Sequence, residues 1–582
     1  MHTVYRARRP AALFLCLALL VSLLAGCATG SQDRDQQQNF NAFTHRLTQQ
    51  SLAADKMSEH FILLDPEARG YTSGPATWGS VGRDSWEQAA DQSAEQLKEL
   101  RAFKREALTE SQQLVYDVLE DYLQVQADYA GLALYYEYCS PNGLVNQIPL
   151  LLSEYALQDS GDVEDYLALL GDMPRYFGEI LLFEQQKAVA GTFMTTAQLD
   201  AALEALTTNV RDPQQNALIT TFSQRLEAIP DTDEQQRQQY TQRNSSLVLE
   251  QVVPAYQTLI QGLEALRPSC SQHAGLGATK QGKAYYQNLV KEKTGYYGRL
   301  DELEDLVDRA IAKEMQAMAG TDENTIERAF ALTLPEMAPQ QMLEDLQEKT
   351  ASSFPPLSGV DCRVKELPTD SAIPNPALYI IPPIDGSGAN VVYVNPNLES
   401  SDPVADYTTI AHEGYPGHLY QTNMEMRART DDVRAFTSFN GYSEGWATYV
   451  EYGYGYQYLP TDDKEATALL AHNSFASLLL YCKADIMAHS GDYSEQEVIA
   501  SLATVFGDDG AQAVYQQVAD DPGTYLSYGV GALLIRQLYQ QAQKELGKKF
   551  DESAFHQMFA SLGGCSYEVQ KKQVASFIES QK

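Results

Sequence analysis

Two histidines and a glutamate lie close together in residues 412–418, which read HEGYPGH. Neutral imidazole nitrogens are good ligands for zinc, and a glutamate beside a ligand can take a proton from a metal-activated water. His412, Glu413 and His418 therefore predict a site for a divalent metal, with zinc as the favoured ion. The alternative is a chance pattern on an amphipathic helix.

The spacing of these histidines departs from the usual H-E-x-x-H motif, whose histidines are four residues apart on one helix face. His412 and His418 are six apart, and six residues of ideal helix rotate by about 240°, which would point the two rings apart. Pro416 cannot donate to the carbonyl of His412, and Gly417 tolerates unusual backbone angles. We therefore expect the helix to kink or bulge at Pro416 and to return His418 towards His412.

A second acidic stretch follows at residues 444–451, which read EGWATYVE. Glu444 and Glu451 are two helical turns apart and share one face of a helix. One carboxylate can bind the metal while the other orients a ligand histidine. We prefer Glu444 as the third ligand and Glu451 as the orienting group. The reverse assignment and a solvated helix face remain the alternatives.

These two stretches together resemble the bacterial domain of unknown function family 885, which is similar to thimet-type oligopeptidases and Taq-type carboxypeptidases. The patterns that carry the resemblance are H-E-x-x-P-G-H and E-G-W-A-x-Y-x-E, and the similarity is clear from about residue 375 to the end. The resemblance implies a mostly α, zincin-like (gluzincin-type) fold with a small β-hairpin or sheet beside the metal. It also implies one zinc ion per chain.

The resemblance extends to three later motifs. Asp485 and His489 look like the family's D-x-G-x-H, residues 522–528 look like its P-G-Q-x-x-S-Y, and His556 looks like the histidine of its F-H. It implies that Tyr528 donates a hydrogen bond to the developing oxyanion, with His489 as the alternative donor. Asp485 and His489, one helical turn apart, form either an orienting pair or a buried structural contact. His556 is a candidate for substrate contact or for support of the site.

The chain departs from the family pattern at five positions, where the family often has His, Arg, Gly, Gln and Arg. These positions are Leu419, Tyr481, Met487, Thr524 and Tyr539. The predicted metal ligands are intact, so the departures bear on the substrate pocket.

Residues 1–27 are typical of a lipoprotein signal. Three arginines precede an apolar run from residue 11 to 24 that is too short for a stable membrane span. The LAGC sequence at residues 24–27 resembles the bacterial lipobox, which implies a lipid on Cys27 and a location outside the cytoplasmic membrane. An ordinary secretory signal is the alternative. Residues 28–40 are polar and low in complexity, and they predict a flexible tether.

The 582-residue chain is strongly acidic, with a formal net charge of −36. This charge argues against a nucleic-acid partner, whose phosphates it would repel, and against binding to anionic lipid beyond the anchor itself. The cysteines outside the signal are odd in number and scattered, which is not typical of a disulfide scaffold.

Residues 41–350 predict a helical N-terminal region. Apolar residues recur at helical spacing after Thr109 and Gln112, which form a plausible capping box at the start of residues 109–138. Further helices are predicted at 163–189, 196–228, 234–266 and 296–318.

Residues 351–582 predict a zinc-binding catalytic region, which either stands apart or packs with the preceding region as one two-lobed unit. Residues 377–381 and 391–394 are β-like and predict a hairpin before a helix with Pro403 at its first position. Beside a metal, such a strand can pair with an extended peptide, and a purely structural hairpin is the alternative.

We therefore predict a zinc-dependent metallopeptidase, of oligopeptidase or carboxypeptidase type, that cleaves peptides outside the cytoplasmic membrane with Glu413 as general base. One alternative is a non-catalytic, surface-tethered binding lipoprotein that retains the fold. The intact Glu413 and the complete ligand set argue against it. Another alternative is a metal hydrolase that acts on a different amide or ester.

Overall fold

Helices form most of the structure, as the apolar periodicity predicts. The structure is a computed structural model that describes residues 32–273, 275–367, 376–386, 390–396 and 402–582. The predicted signal at residues 1–27, with its lipid-bearing Cys27, lies outside the described residues. Within them, no helix is long and apolar enough to cross a membrane.

The helices before the sheet match the predicted segments, with three differences. The helix predicted over 109–138 ends at Ala127. The helix predicted over 196–228 is broken after Thr208, and that over 234–266 is two helices joined by a π-helical turn, Val248–Val252. The predicted capping box of Thr109 and Gln112 is confirmed at the start of α4. These helices are α1 (32–52), α2 (Lys56–Ile62), α3 (Arg83–Leu100), α4 (Glu110–Ala127), α5 (Leu144–Glu154), α6 (Ser160–Ala190), α7 (Thr196–Thr208), α8 (Ala217–Thr220), α9 (Phe222–Leu226), α10 (Glu234–Leu247), α11 (Val253–Ala265), α12 (Lys280–Thr294), α13 (Leu300–Met318), α14 (Glu323–Phe330) and α15 (Pro339–Thr350).

The sheet has three strands: β1 (Cys362–Glu366), β2 (Ala377–Tyr379) and β3 (Asn390–Val394). β3 is central, and it pairs in parallel with β1 and antiparallel with β2. The predicted hairpin of β2 and β3 is therefore confirmed, and β1 is a strand that the sequence did not predict.

Helices follow the sheet to the end of the chain. Pro403 begins the first of them, and the Asp402 side chain accepts hydrogen bonds from two backbone N–H groups of its first turn. These helices are α16 (Pro403–Glu413), α17 (His418–Ala428), α18 (Asn440–Val450), α19 (Lys464–Ser490), α20 (Glu495–Asp520), α21 (Thr524–Leu546), α22 (Glu552–Ala560) and α23 (Tyr567–Gln581).

The described residues form two large hydrophobic cores. One lies among α5–α11, around Tyr166 and Phe177, and the other contains the sheet and the helices that follow it, around Trp446. The helices α12, α13 and α15 contribute to this second core, with residues such as Tyr286 and Leu343. The region boundary predicted after residue 350 therefore lies between α15 and the sheet. It does not coincide with the boundary between the two cores.

The flexible tether predicted for residues 28–40 is wrong in its described part, because α1 already begins at residue 32. Phe40 is fully buried and packs edge-on against Phe103, with ring centroids 5.5 Å apart. The Gln37 side chain donates to the carbonyl of Ala107 over 2.9 Å. Although the start of α1 is polar in composition, the helix has one apolar face, and that face packs against α3 and α4.

Candidate metal centre

The two predicted histidine ligands lie on either side of a helix break. His412 is in the last turn of α16, and His418 is the first residue of α17. Their ring centroids are 4.9 Å apart, and the ring planes are nearly perpendicular at 85°. The break predicted from the six-residue spacing is thus confirmed, and it brings the two imidazoles together.

The turn between these helices packs tightly against backbone. A Cβ atom on Gly417 would lie 1.7 Å from the carbonyl oxygen of His412, so no side chain fits there. The peptide bond between Tyr415 and Pro416 is cis. The indole N–H of Trp446, on α18, donates to the carbonyl oxygen of Pro416 over 2.9 Å. The sequence did not predict this contact, because it joins the turn to α18 through residues thirty positions apart.

Helix α18 brings Glu444 to both histidines. Its Oε2 atom lies 3.6 Å from His412 Nε2 and 3.3 Å from His418 Nε2. This oxygen is buried and accepts no hydrogen bond from the described residues. Two imidazole nitrogens beside an unpartnered carboxylate oxygen form the donor set of a zinc site, so these residues fit the predicted ion.

Two further glutamates border the same point. Glu451 Oε2 lies 2.9 Å from His412 Nδ1, a distance at which Nδ1–H can donate a hydrogen bond to the carboxylate. In that tautomer the Nε2 atom of His412 carries a lone pair, which faces Glu444. Glu413 is a rival third ligand, because ligand atoms of His412, Glu413 and His418 lie within 4.8 Å of one another. Glu413 Oε2, however, already accepts the backbone N–H of Tyr379 over 2.8 Å. The unpartnered oxygen of Glu444 therefore makes it the better ligand.

The charges around this cluster favour a bound cation. Burial opposes protonation of His412, but the carboxylates of Glu444, Glu451 and Glu413 outweigh burial and raise its pKa well above the ordinary value. Burial also disfavours the charged form of Glu444, yet His418 and His412 hold its pKa below the ordinary value. When no metal is bound, protonated histidines balance the carboxylates. A divalent metal bound to the neutral histidines can supply the same positive charge.

The structure also brings Tyr528 to this cluster. Its ring stacks on that of His412, with centroids 5.9 Å apart. Burial, followed by the nearby carboxylates of Glu444 and Glu413, raises the pKa of Tyr528 above its ordinary value, so the hydroxyl keeps its proton. Its helix, α21, lies backbone to backbone against α18, where a Cβ on Gly445 would stand 2.5 Å from the Gly531 carbonyl carbon.

His489 has no free nitrogen to offer a substrate. It is fully buried, its Nδ1 accepts the backbone N–H of Leu276 over 3.1 Å, and its Nε2 lies 2.9 Å from the carbonyl oxygen of Val518. The prediction of His489 as an alternative oxyanion donor is therefore wrong. Asp485 does not pair with it either, because the Asp485 carboxylate accepts the backbone N–H of Gly523 over 2.7 Å.

His556 is also fully buried and cannot contact a substrate. Its Nδ1 lies 2.8 Å from the carbonyl oxygen of Ser353, its Nε2 lies 3.0 Å from the hydroxyl of Tyr449, and its ring stacks on Phe354. The substrate-contact alternative for His556 is thus wrong. Its contact with Tyr449 supports α18, the helix that carries Glu444.

Comparison with known proteins identifies the fold. The profile of a family described as "Bacterial protein of unknown function (DUF885)" matches residues 67–574. Among curated protein sequences, none matches significantly. A crystal structure described as a "putative lipoprotein from Colwellia psychrerythraea" has 18% identity and a TM-score of 0.79, and the alignment covers 94% of this chain and 99% of that one. A "putative lipoprotein of unknown function from Shewanella oneidensis" has 14% identity and a TM-score of 0.59, with 92% and 99% covered.

Proposed function

We propose that this chain, which belongs to the bacterial family of unknown function DUF885, is a zinc-dependent metallopeptidase. One observation carries the proposal. The Nε2 atoms of His412 and His418 lie within 3.6 Å of a buried Glu444 oxygen that has no hydrogen-bond donor among the described residues. A buried carboxylate is costly unless positive charge balances it, and a cation bound between the two imidazoles would supply that charge.

His412, His418 and Glu444 would hold the zinc ion, and Glu451 would keep His412 in the tautomer that presents Nε2. When bound, zinc would supply the Lewis acidity that activates water and polarises a carbonyl. Glu413, next to His412, takes a proton from the attacking water and returns it to the leaving amine.

Tyr528 completes the proposed chemistry as a hydrogen-bond donor. Because carboxylates and burial keep its hydroxyl protonated, it can donate to an oxygen that becomes negative in the transition state. The stack on His412 places the phenol beside the proposed metal ligands.

An extended peptide is the substrate class that the sheet edge supports. In the described part of the chain, β2 pairs only with β3, so β2 is an edge strand. The backbone N–H of its residue Tyr379 donates a hydrogen bond to the Glu413 carboxylate. A peptide that adds to this edge as a further strand would lie with its backbone beside the general base. This arrangement favours peptides over other amides and esters.

The test measures metal and hydrolysis on the same samples. Elemental analysis of protein purified without added metal should find about one zinc per chain. The zinc-loaded protein, incubated with a diverse peptide mixture, should yield new termini by mass spectrometry.

Glu413→Gln should keep zinc and fold but lose hydrolysis, because the amide cannot accept the water proton. Glu95→Gln is the matched control, since its side chain is 76% exposed on α3. A protein that takes up no zinc, or a zinc-loaded Glu413→Gln variant that still cleaves, contradicts the proposal. Zinc binding without cleavage would favour the non-catalytic binding role.

We also propose that the mature protein is anchored to a bacterial membrane by a lipid on Cys27, outside the cytoplasm. The LAGC sequence supports this, as do the two structural relatives described as putative lipoproteins. Mass spectrometry of the mature N-terminus should find a diacylglyceryl group on Cys27, and Cys27→Ala should release the protein from the membrane fraction. Cleavage elsewhere, or an unmodified Cys27, contradicts the anchor.

A further inference from the structure

The motif of Asp485 and His489, which the proposed chemistry does not use, contacts the segment that leads to Tyr528. Asp485 and His489 lie on the C-terminal half of α19. Asp485 binds the connection between α20 and α21, and His489 contacts the last turn of α20. Asp485 Oδ2 accepts the backbone N–H of Gly523 over 2.7 Å, and His489 Nε2 lies 2.9 Å from the carbonyl oxygen of Val518. Helix α19 therefore holds the end of α20 and the start of α21 at once.

The start of α21 determines where Tyr528 lies. Gly523 is the residue before this helix, and its φ of 80° requires the left-handed conformation that glycine adopts most readily. Tyr528 follows five residues later, about 7.5 Å along the helix axis. Because a helix is stiff over this length, a shift of Gly523 is transmitted to Tyr528.

The carboxylate of Asp485 is unusually enclosed. It is fully buried, and its second oxygen accepts the hydroxyl of Tyr286 on α12 over 2.5 Å. Burial raises the pKa of Asp485 to about 7, while the hydrogen bonds from Tyr286 and Gly523 act in the opposite direction. A negative charge at the N-terminus of α21 also interacts favourably with the helix dipole. Donors from two separate elements thus fix this carboxylate in one position.

A second contact joins α19 to the first turn of α21. The Cys482 sulfur lies 3.2 Å from the carbonyl oxygen of Tyr525, and a Cβ on Gly529 would lie 2.5 Å from the same sulfur. The first two turns of α21 therefore rest directly on α19, at positions on both sides of Tyr528 in the sequence.

We propose that Asp485 is the positioning residue for Tyr528. By holding the N–H of Gly523, it fixes the start of α21 and so the place of the Tyr528 hydroxyl relative to the metal ligands. The inference rests on the proposed peptidase function and deepens it, because it assigns a role to a side chain that touches neither metal nor substrate.

A double-mutant cycle tests this role. Asparagine at position 485 can accept through only one side-chain atom, so Asp485→Asn should lower kcat by about tenfold to a hundredfold, the scale of a misplaced catalytic group. Asp485→Ala should cost more. KM and zinc content should stay unchanged, because the metal ligands lie on other helices.

In a Tyr528→Phe background, Asp485→Asn should cause no further loss of kcat, since the hydroxyl through which it acts is gone. Asp492→Asn, just beyond the same helix and 66% exposed, is the matched control. Losses of kcat that add in the double variant, or an unchanged kcat in Asp485→Ala, would overturn the proposal.

Hydrogen exchange gives a readout that does not need activity. Asp485→Asn should speed exchange of the amides of residues 519–530 and leave those of residues 403–418 unchanged. Unchanged exchange at 519–530 overturns the positioning role, whereas a wild-type protein that binds no zinc and cleaves no peptide overturns the function instead. If Asp485→Ala does not fold, Tyr286→Phe frees the same carboxylate from its other side. It should give a smaller loss of kcat that also disappears in the Tyr528→Phe background.

Discussion

The hydroxyl of Tyr528 is surrounded by carboxylates and buried surface, and these determine what it can do. Because they raise its pKa, the hydroxyl keeps its proton and is available as a hydrogen-bond donor. Tyr528→Phe should therefore lower turnover by roughly a hundredfold or more, the scale observed when one oxyanion donor is removed. KM and zinc content should change little, because this contact forms mainly in the transition state.

Turnover and melting temperature should be measured together on Tyr528→Phe. Near-wild-type turnover with a lowered melting temperature would assign Tyr528 to packing. In that case His489 could not take over the role, since both of its nitrogens contact backbone atoms.

At this scale, motif spacing predicted the side chains of the cluster and a role for each, but it could not show which carboxylate oxygens already have hydrogen-bond partners. Glu413 and Glu444 are both close to the histidines, and the unpartnered oxygen of Glu444 is the observation that favours Glu444 over Glu413 as the proposed ligand. The expectation for His489 failed because a sequence motif does not reveal which backbone atoms a buried ring will meet.

The turn between α16 and α17 depends on an indole from a third helix. Trp446 is fully buried and is the donor to the Pro416 carbonyl, so it fixes the segment that returns His418 to His412. Trp446→Phe keeps an aromatic ring but removes the donor. We expect zinc affinity to fall by about tenfold to a hundredfold, as when a residue that supports a ligand is lost.

Competition with a chelator of known affinity measures this change. Trp86→Phe is the matched control, because the Trp86 indole also donates a hydrogen bond, to the hydroxyl of Tyr138 far from the turn in the sequence. Equal zinc affinities for both variants and the wild type would show that the indole does not hold the turn.

At the scale of elements, proline and glycine predicted the helix break because they act through local backbone geometry. Trp446 closes the turn through a contact thirty residues away in the sequence, which local rules do not reach. Strand β1 was missed for the same reason. Its residues, CRVKE, are mostly exposed, and its pairing with β3 is long-range.

The docking of α1 adds a third, smaller core to the molecule. Phe40 and Phe43 fill it together with side chains of α3 and α4. Phe40→Ala should lower the free energy of unfolding by about 3–5 kcal/mol, because it leaves a cavity where an aromatic ring packs. Urea unfolding measures this loss.

Phe330→Ala is the control for that variant, since Phe330 is 69% exposed at the end of α14 and its loss should change stability by at most about 0.5 kcal/mol. If Phe40→Ala were equally mild, residues 32–40 would behave as the tether that their composition predicts.

At the scale of the whole molecule, helical periodicity predicted the N-terminal helices but not how they are shared between cores. Helices α12, α13 and α15 join the core that contains the sheet through residues such as Tyr286 and Leu343, which pack against segments far along the chain. The prediction of a flexible tether failed at residues 32–40 because it relied on composition. A polar helix with one apolar face has the composition of a linker, and only the spacing of its apolar residues distinguishes the two.

The early start of α1 limits how far the protein can reach. With the proposed lipid on Cys27, residue 32, the first described residue of α1, lies at most roughly 17 Å from the lipid-bearing residue along the chain, and Phe40 in the same helix is buried. The protein would therefore remain at the membrane face and could not follow molecules into the space beyond it. Soluble peptides would then have to diffuse to a protein that is held close to that surface.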